Sequence, residues 1–356
     1  MNKNRLLLCL IYIAGFLSLL AFIVTKNEDL MDLSTSNMFK DGDLYRFAKV
    51  LSFKTKLPPA DYEDLDYSDV DPDTSAIIII GDSFMETCRG HKPFPMLLSE
   101  QMGQDVYPVY AGIEPAYFDP VYFCWKNSLD PDKKRIIILE RVERYIIDYF
   151  GERQREDTIA FHRAAKNHSW WHDVKRHWFT GAEKNFQVLM TSSNLTSPVM
   201  ELWNTFRFVA FKQISEETPL YSLDPPFLFD KEEVVQNLTT SYYYPHTDTL
   251  IDQIASNILL YKKLLQSRYN AELVFMPVPN PYTLYHTLIN SDPYDGFVPK
   301  LCGKLERKGV RTISLYDKFC ESKKRLYFPT DTHWNADGVQ IAVDQTVNLL
   351  SRLRHE

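Results

Sequence analysis

The sequence has no Cys-x-x-Cys pair, and His162, His168, His172 and His177 lack regular ligand spacing, which removes the usual zinc and dithiol readings. No metal or other cofactor is expected. Basic charge is also scarce: 40 Lys and Arg stand against 47 Asp and Glu, a net charge of −7, with no compact basic face. Nucleic acid is therefore not an expected partner. There is no internal repeat and no low-complexity tract. What the chain does have is apolar material: 45% of its 356 residues are hydrophobic, enough for one large core or a core plus an insertion.

Leu6 to Val24 is an uncharged, almost wholly apolar run between Arg5 and Lys26. As a helix it would be about 28 Å long, the thickness of a bilayer core. Lys3 and Arg5 precede it and Glu28, Asp29 and Asp32 follow, so the positive-inside rule predicts a single-pass anchor with the body in the periplasm or another extracytoplasmic space. A cleaved signal peptide is the alternative, but no Ala-x-Ala site follows the run. Outside the cytoplasm Cys88, Cys124, Cys302 and Cys320 have three possible pairings, and four free thiols remain a further alternative.

The expected organisation is a cytoplasmic tip and transmembrane anchor (1–26), a linker with an acidic stretch through Asp73 (27–75), a first catalytic part (76–150), an insertion or lid (151–247) and a second catalytic part (248–356). The acidic stretch lacks the glycine turn and terminal Glu of a calcium loop. Short apolar strands at Ile77–Ile80, Val106–Tyr110, Ile136–Leu139, Leu273–Met276 and Thr312–Leu315 alternate with helical stretches. That alternation predicts an α/β fold, a parallel sheet covered on both faces. Asn335 is placed to cap a last helix whose Val339, Ala342, Val343, Val347 and Leu350 form one stripe. The insertion is too long for a structureless loop, and it carries Trp170, Trp171, Trp178 and Trp203 with Tyr242, Tyr243 and Tyr244. Such rings pack cores or stack on sugars.

Gly81-Asp82-Ser83 directly follows the first strand, which places a serine at the carboxyl end of a buried parallel strand, where open α/β sheets build their sites. A serine needs a base, and Asp331-Thr332-His333-Trp334 sits before the last helix. His333 would take the Ser83 proton, and Asp331 would hold the imidazole tautomer. The backbone N–H of Ser83 is a candidate oxyanion donor.

These two motifs resemble the SGNH hydrolase superfamily, and most closely its alginate O-acetyltransferase-like branch. Glu140-Arg-Val-Glu143-Arg144 and Pro277-Val-Pro279-Asn280-Pro-Tyr282 add to the likeness, which covers residues 76–150 and 248–350. The resemblance implies a flavodoxin-like three-layer sandwich, a Ser83-His333-Asp331 triad, and transfer or removal of acetyl groups on extracytoplasmic polysaccharide. It implies a second oxyanion donor at Gly112, and it makes Arg144, Tyr282 and Trp334 candidate contacts to substrate or acyl group. By analogy a multipass membrane acyltransferase would supply the acyl donor. The Gly-x-Asn-Asp block of SGNH esterases is absent, as it is from that branch. Three functions fit: an O-acetyltransferase first, then a carbohydrate O-acetyl esterase, then an inactive glycan-binding assembly factor.

Overall fold

The computed structural model describes residues 40–58, 71–86, 89–111, 115–151 and 196–355, together with Tyr12 and Ser193. First come α1 (Asp43–Ala48) and a 3-10 turn (Leu51–Phe53). β1 (Ile77–Gly81), α2 (Ser83–Glu86), α3 (Phe94–Met102), β2 (Val106–Tyr110), α4 (Pro120–Lys126), β3 (Arg135–Val142) and α5 (Glu143–Phe150) follow. The described part of the insertion holds α6 (Ser197–Phe211), an antiparallel hairpin of β4 (Leu220–Leu223) and β5 (Pro226–Phe229), and α7 (Lys231–Val234). The chain then runs through α8 (Asp248–Tyr269), β6 (Ala271–Val278), α9 (Pro281–Tyr285), α10 (Phe297–Arg307), β7 (Arg311–Thr312), α11 (Tyr316–Glu321) and α12 (Ala336–His355).

The fold is α/β. Five strands form one sheet in the order β2-β1-β3-β6-β7, and all four pairings are parallel. Alternation along β1 explains the layers: Ile78 and Ile80 join a core with Ile254, Ile258 and Leu301 of α8 and α10. Ile77 and Ile79 face the other way, to Leu98 of α3 and Val343 of α12. Every side chain of β1 is thus buried, which is why the strand reads as an unbroken apolar run.

Helix ends follow local chemistry. Asp119 Oδ1 accepts from the Val121 and Tyr122 N–H groups, each at 3.0 Å, and starts α4. Thr247 Oγ1 accepts from Leu250 N–H at 3.2 Å and starts α8, which stops at Asn270 in the left-handed conformation. Asn335 Oδ1 caps α12 through Asp337 N–H at 3.0 Å and Gly338 N–H at 3.1 Å, and the expected stripe of that helix faces the core. β7 is shorter than the expected Thr312–Leu315, because the chain leaves the ladder after Ile313 N–H bonds Phe275 O at 2.9 Å. Ile313 and Leu315 remain buried.

Residues 40–58 differ from the expected linker. α1 and the 3-10 turn pack on the insertion through a small core of Leu44, Tyr45, Ala48, Phe53, Phe208 and Leu228. Asp73, at the end of the acidic stretch, pairs with the buried Arg135 and with Lys133, so it anchors the start of β3 instead of lying free in solvent. Cys124, Cys302 and Cys320 are free thiols, so the Cys302–Cys320 pairing is not formed; Cys88 lies outside the described residues. The expected transmembrane helix also lies outside them, apart from Tyr12. No helix of the described residues is long and apolar enough to cross a membrane.

Candidate active site

β1 delivers Gly81 to the carboxyl edge of the sheet, and the chain must turn there within two residues. Glu140, wholly buried on neighbouring β3, accepts Asp82 N–H at 2.9 Å. Asp82 Oδ1 in turn accepts Phe84 N–H at 3.0 Å, which closes the first turn of α2 over Ser83. A Cβ at Gly81 would meet Glu140 Oε2 at 2.6 Å and Met85 Cγ at 2.4 Å, so the turn has no room for a side chain.

His333 arrives on a tight loop. Asn335 N–H bonds Leu326 O at 2.8 Å and Phe328 N–H bonds His333 O at 3.2 Å. Trp334 holds this loop against the serine turn: it is wholly buried, edge-on to Phe84 at 5.3 Å and stacked on Phe94 at 6.1 Å. Trp334, expected as a contact to substrate or acyl group, is thus placed as a packing wedge, and it is not among the residues that line the cleft.

The structure brings the three expected residues together. Ser83 Oγ lies 2.8 Å from His333 Nε2, and His333 Nδ1 lies 2.6 Å from Asp331 Oδ1. Asp331 is wholly buried, and all its lone pairs face donors. Oδ1 also accepts His333 N–H at 3.1 Å, while Oδ2 accepts Asp43 N–H at 3.1 Å and pairs with Arg89 at 3.1 Å. Burial alone would raise its pKa, but His333 and Arg89 prevail and hold the carboxyl down at about 2. Burial pushes His333 down, yet the charge and hydrogen bond of Asp331, helped by Asp43, leave it above the ordinary imidazole value.

Asp43 was not singled out in the sequence, and neither was Arg89. Asp43 accepts Thr332 N–H at 2.9 Å and the Thr332 hydroxyl at 2.5 Å, and its Oδ2 lies 3.9 Å from His333 Nδ1. Burial and the neighbouring Asp331 raise its pKa. The first turn of α1 also donates Leu44 and Tyr45 N–H to Thr330 O, each at 3.1 Å. Asp43, Asp331 and His333 offer ligand atoms within 4.8 Å of one another, a spacing that suits a cation. Here those atoms are engaged by the hydrogen bonds just described.

Gly42 makes the docking of α1 possible. Its φ is 107°, and a Cβ there would lie 2.0 Å from Thr330 O. Gly42→Ala should therefore cost at least about 2 kcal/mol and lower activity by loosening the Asp331 loop. Urea unfolding measured beside ester turnover checks this, and wild-type values in both would contradict the docking described.

Arg144, expected as a contact to substrate or acyl group, pairs with a carboxylate. Its guanidinium lies 2.9 Å from Glu233 Oε1, because a charge this buried needs a counter-charge, although it also borders the cleft. Glu233 Oε2 accepts Tyr282 N–H at 3.0 Å. Tyr282, expected as a contact to substrate or acyl group, is wholly buried in the core, with its hydroxyl 2.6 Å from that of Tyr243, and is not among the residues that line the cleft. Glu143 ties the loop after β6 to the end of β3, accepting from Asn280 N–H at 2.9 Å and the Thr283 hydroxyl at 2.7 Å. Glu233→Gln should cost about 3–5 kcal/mol by leaving Arg144 buried without its anion. A urea midpoint within error of wild type would show the pair to be dispensable.

Ser83 and His333 open into a cleft of about 750 Å³. Its walls include Arg141 and Tyr149 from the sheet side, Arg46 from α1, and Asp230 and Glu232 from the insertion. Arg141 lies between Phe118 and Tyr149, 3.9 and 3.8 Å from their centroids, with Nη1 3.4 Å from Asp82 Oδ2. Gly112, Trp170, Trp171 and Trp178 lie outside the described residues. Of the insertion's other rings, Tyr242 is buried in the core and Trp203 faces outward, away from any core of the insertion. Comparison with protein-family models, with curated proteins and with solved structures finds no match for this chain.

Proposed function

We propose that this protein is a serine-dependent O-acyltransferase, transferring an acetyl group through an acyl-Ser83 intermediate to a hydroxyl of an extracytoplasmic polysaccharide. The observation that carries this reading is the unbroken relay from Ser83 Oγ to His333 and on to the buried Asp331. The resemblance to the SGNH superfamily and its acetyltransferase-like branch supports it. So does the sheet order, which counted within the sheet is the 2-1-3-4-5 order of flavodoxin-like folds.

In the first half-reaction His333 Nε2 takes the Ser83 proton as Oγ attacks the ester carbonyl carbon of the donor. The intermediate collapses, the donor's C–O bond breaks, and His333 returns the proton to the departing alcohol. In the second, an acceptor hydroxyl gives its proton to His333 and attacks the acyl carbon, the acyl C–Oγ bond breaks, and His333 returns that proton to Ser83 Oγ. The backbone N–H of Ser83, with Gly112, is the proposed oxyanion hole, and Arg141 and Arg144, which both border the cleft, are the proposed side chains to meet acyl or acceptor oxygens. Charged and aromatic walls suit a polyhydroxylated acceptor. Water as acceptor would make the enzyme an esterase; transfer prevails when a glycan is held in attack geometry.

The remaining parts of the proposal are a single-pass anchor at residues 6–24, an extracytoplasmic body, and a membrane acyltransferase as donor. Intact-mass analysis after mixing the chain with an activated acetyl ester tests the core of it. An acetyl adduct that a surface-polysaccharide fragment discharges with formation of acetylated glycan supports transfer. Free acetate alone with every fragment would make it an esterase, and no adduct with any donor would make it a binding protein.

The pH profile should carry the signature of the relay. Only neutral His333 can accept the Ser83 proton, and Asp331 stabilises the cation, so the neutral form dominates only at pH above the ordinary imidazole value of 6.5. Acylation should therefore rise with pH, with an inflection above 6.5. An inflection well below that value would mean that Asp331 does not act on His333 as described.

A further inference from the structure

α6 is built inside out. Its polar side faces the protein: Ser197 accepts from Lys49 Nζ at 2.6 Å, and Glu201 accepts from the Tyr45 hydroxyl and Lys54, both at 2.8 Å. Asn204 donates to Ala48 O at 3.1 Å, and Thr205 accepts Leu51 N–H at 3.0 Å. Phe208 alone carries apolar burial on that side. Val199, Leu202, Trp203, Phe206, Val209 and Ala210 all face outward and are exposed. At 100° per residue these six fall within about 120° of the helix circumference. Val199, Leu202 and Val209 are each about two-thirds exposed, and Trp203 and Phe206 more than half. A surface helix of a water-soluble domain has the opposite arrangement, and a contiguous patch of this kind calls for an apolar partner.

We infer that this outward stripe of α6 lies in the interface of a lipid bilayer, holding the body against the membrane surface. Three observations favour lipid over another occupant. The stripe carries no charge, whereas Arg207, bonded to the neutral Gln213, and exposed Lys212 stand beside it, an arrangement that suits anionic headgroups. Trp203 and Phe206 lie 5.9 Å apart on the stripe, and such rings favour the boundary between headgroups and acyl chains. The inward face of α6 is bonded directly to residues 45–54, the first described elements after the apolar run Leu6–Val24. About twenty residues separate Val24 from α1, a reach of at most ~70 Å, so a membrane-bound run would keep the stripe close to lipid.

The inference leans on the proposed anchor for that proximity, and one experiment separates the two. The full chain is mixed with vesicles of phosphatidylcholine and phosphatidylglycerol, with and without bromine on the acyl chains, floated on a density gradient, and its tryptophan emission compared with that of Trp203→Phe. We expect the chain to float, and brominated lipid to quench the difference between wild type and variant, which isolates Trp203. Flotation with no quenching of that difference overturns the inference and leaves the anchor standing. Absence of flotation overturns both. Val199→Cys decides the main competing occupant: disulfide-linked dimers of this variant, absent from wild type, with Trp203 unquenched, would make the stripe a contact between copies of the chain.

Discussion

Ser83→Ala is expected to leave no acetyl adduct on the protein and to reduce turnover of an activated ester to the uncatalysed background. The reason is positional. Ser83 Oγ is the hydroxyl that stands 2.8 Å from His333 Nε2 at the mouth of the cleft, and among the described residues no other nucleophile is hydrogen-bonded to that nitrogen. Removing a single oxygen from a partly exposed turn should barely change stability, since Phe84 and Met85, which fix the turn, are untouched. The check is intact mass and ester turnover on variant and wild type, with the urea midpoint as a control for folding. A full adduct on the variant would move the nucleophile elsewhere.

Asp331→Asn should be nearly as damaging to catalysis, by about 10³- to 10⁴-fold, and unlike Ser83→Ala it should also destabilise the protein. Both oxygens of Asp331 face donors: His333 N–H and the ring nitrogen on one side, Arg89 and Asp43 N–H on the other. An amide must point its NH₂ at one of these pairs. Toward His333 it forces the wrong tautomer; toward Arg89 it sets donor against donor between two buried side chains. Leaving such groups unsatisfied costs about 1–3 kcal/mol, and more where a charge is involved. His333→Ala should lose activity to the same degree, and the double variant with Ser83→Ala no further, because the two act as one unit. Turnover within tenfold of wild type in either single variant would dismantle the relay.

How much of this was legible in the sequence depended on the range of the interaction. The sheet strands read clearly because β1, β3 and β6 are buried on both faces, so each contains an apolar run, Ile77–Ile80, Ile136–Leu139 and Leu273–Met276. Ser83, Asp331 and His333 were legible because they sit at the ends of such elements, where local pattern fixes position. Asp43 and Arg89 were not, since their roles arise only when segments 288 and 242 residues from Asp331 are folded against it. Arg141 and Arg144 show the same limit at short range. They stand three residues apart and both border the cleft, but the step from β3 into α5 pairs one with Asp82 and the other with Glu233. Nothing in the local sequence says that Glu233, in the insertion, awaits the second.

The seating of α1 under the Asp331 loop has a consequence for when the Ser83-His333-Asp331 relay can form. Asp43 leaves the ribosome nearly three hundred residues ahead of Asp331, so the parallel sheet through β6 can assemble while the carboxylate that orients His333 has yet to be made. Closing so large a loop is among the slower steps available to a chain, and it comes last. A partly made chain therefore holds a serine without its base. The union of the two distant segments acts as a timing device, withholding the complete relay until the Asp331 loop has been made and seated on α1.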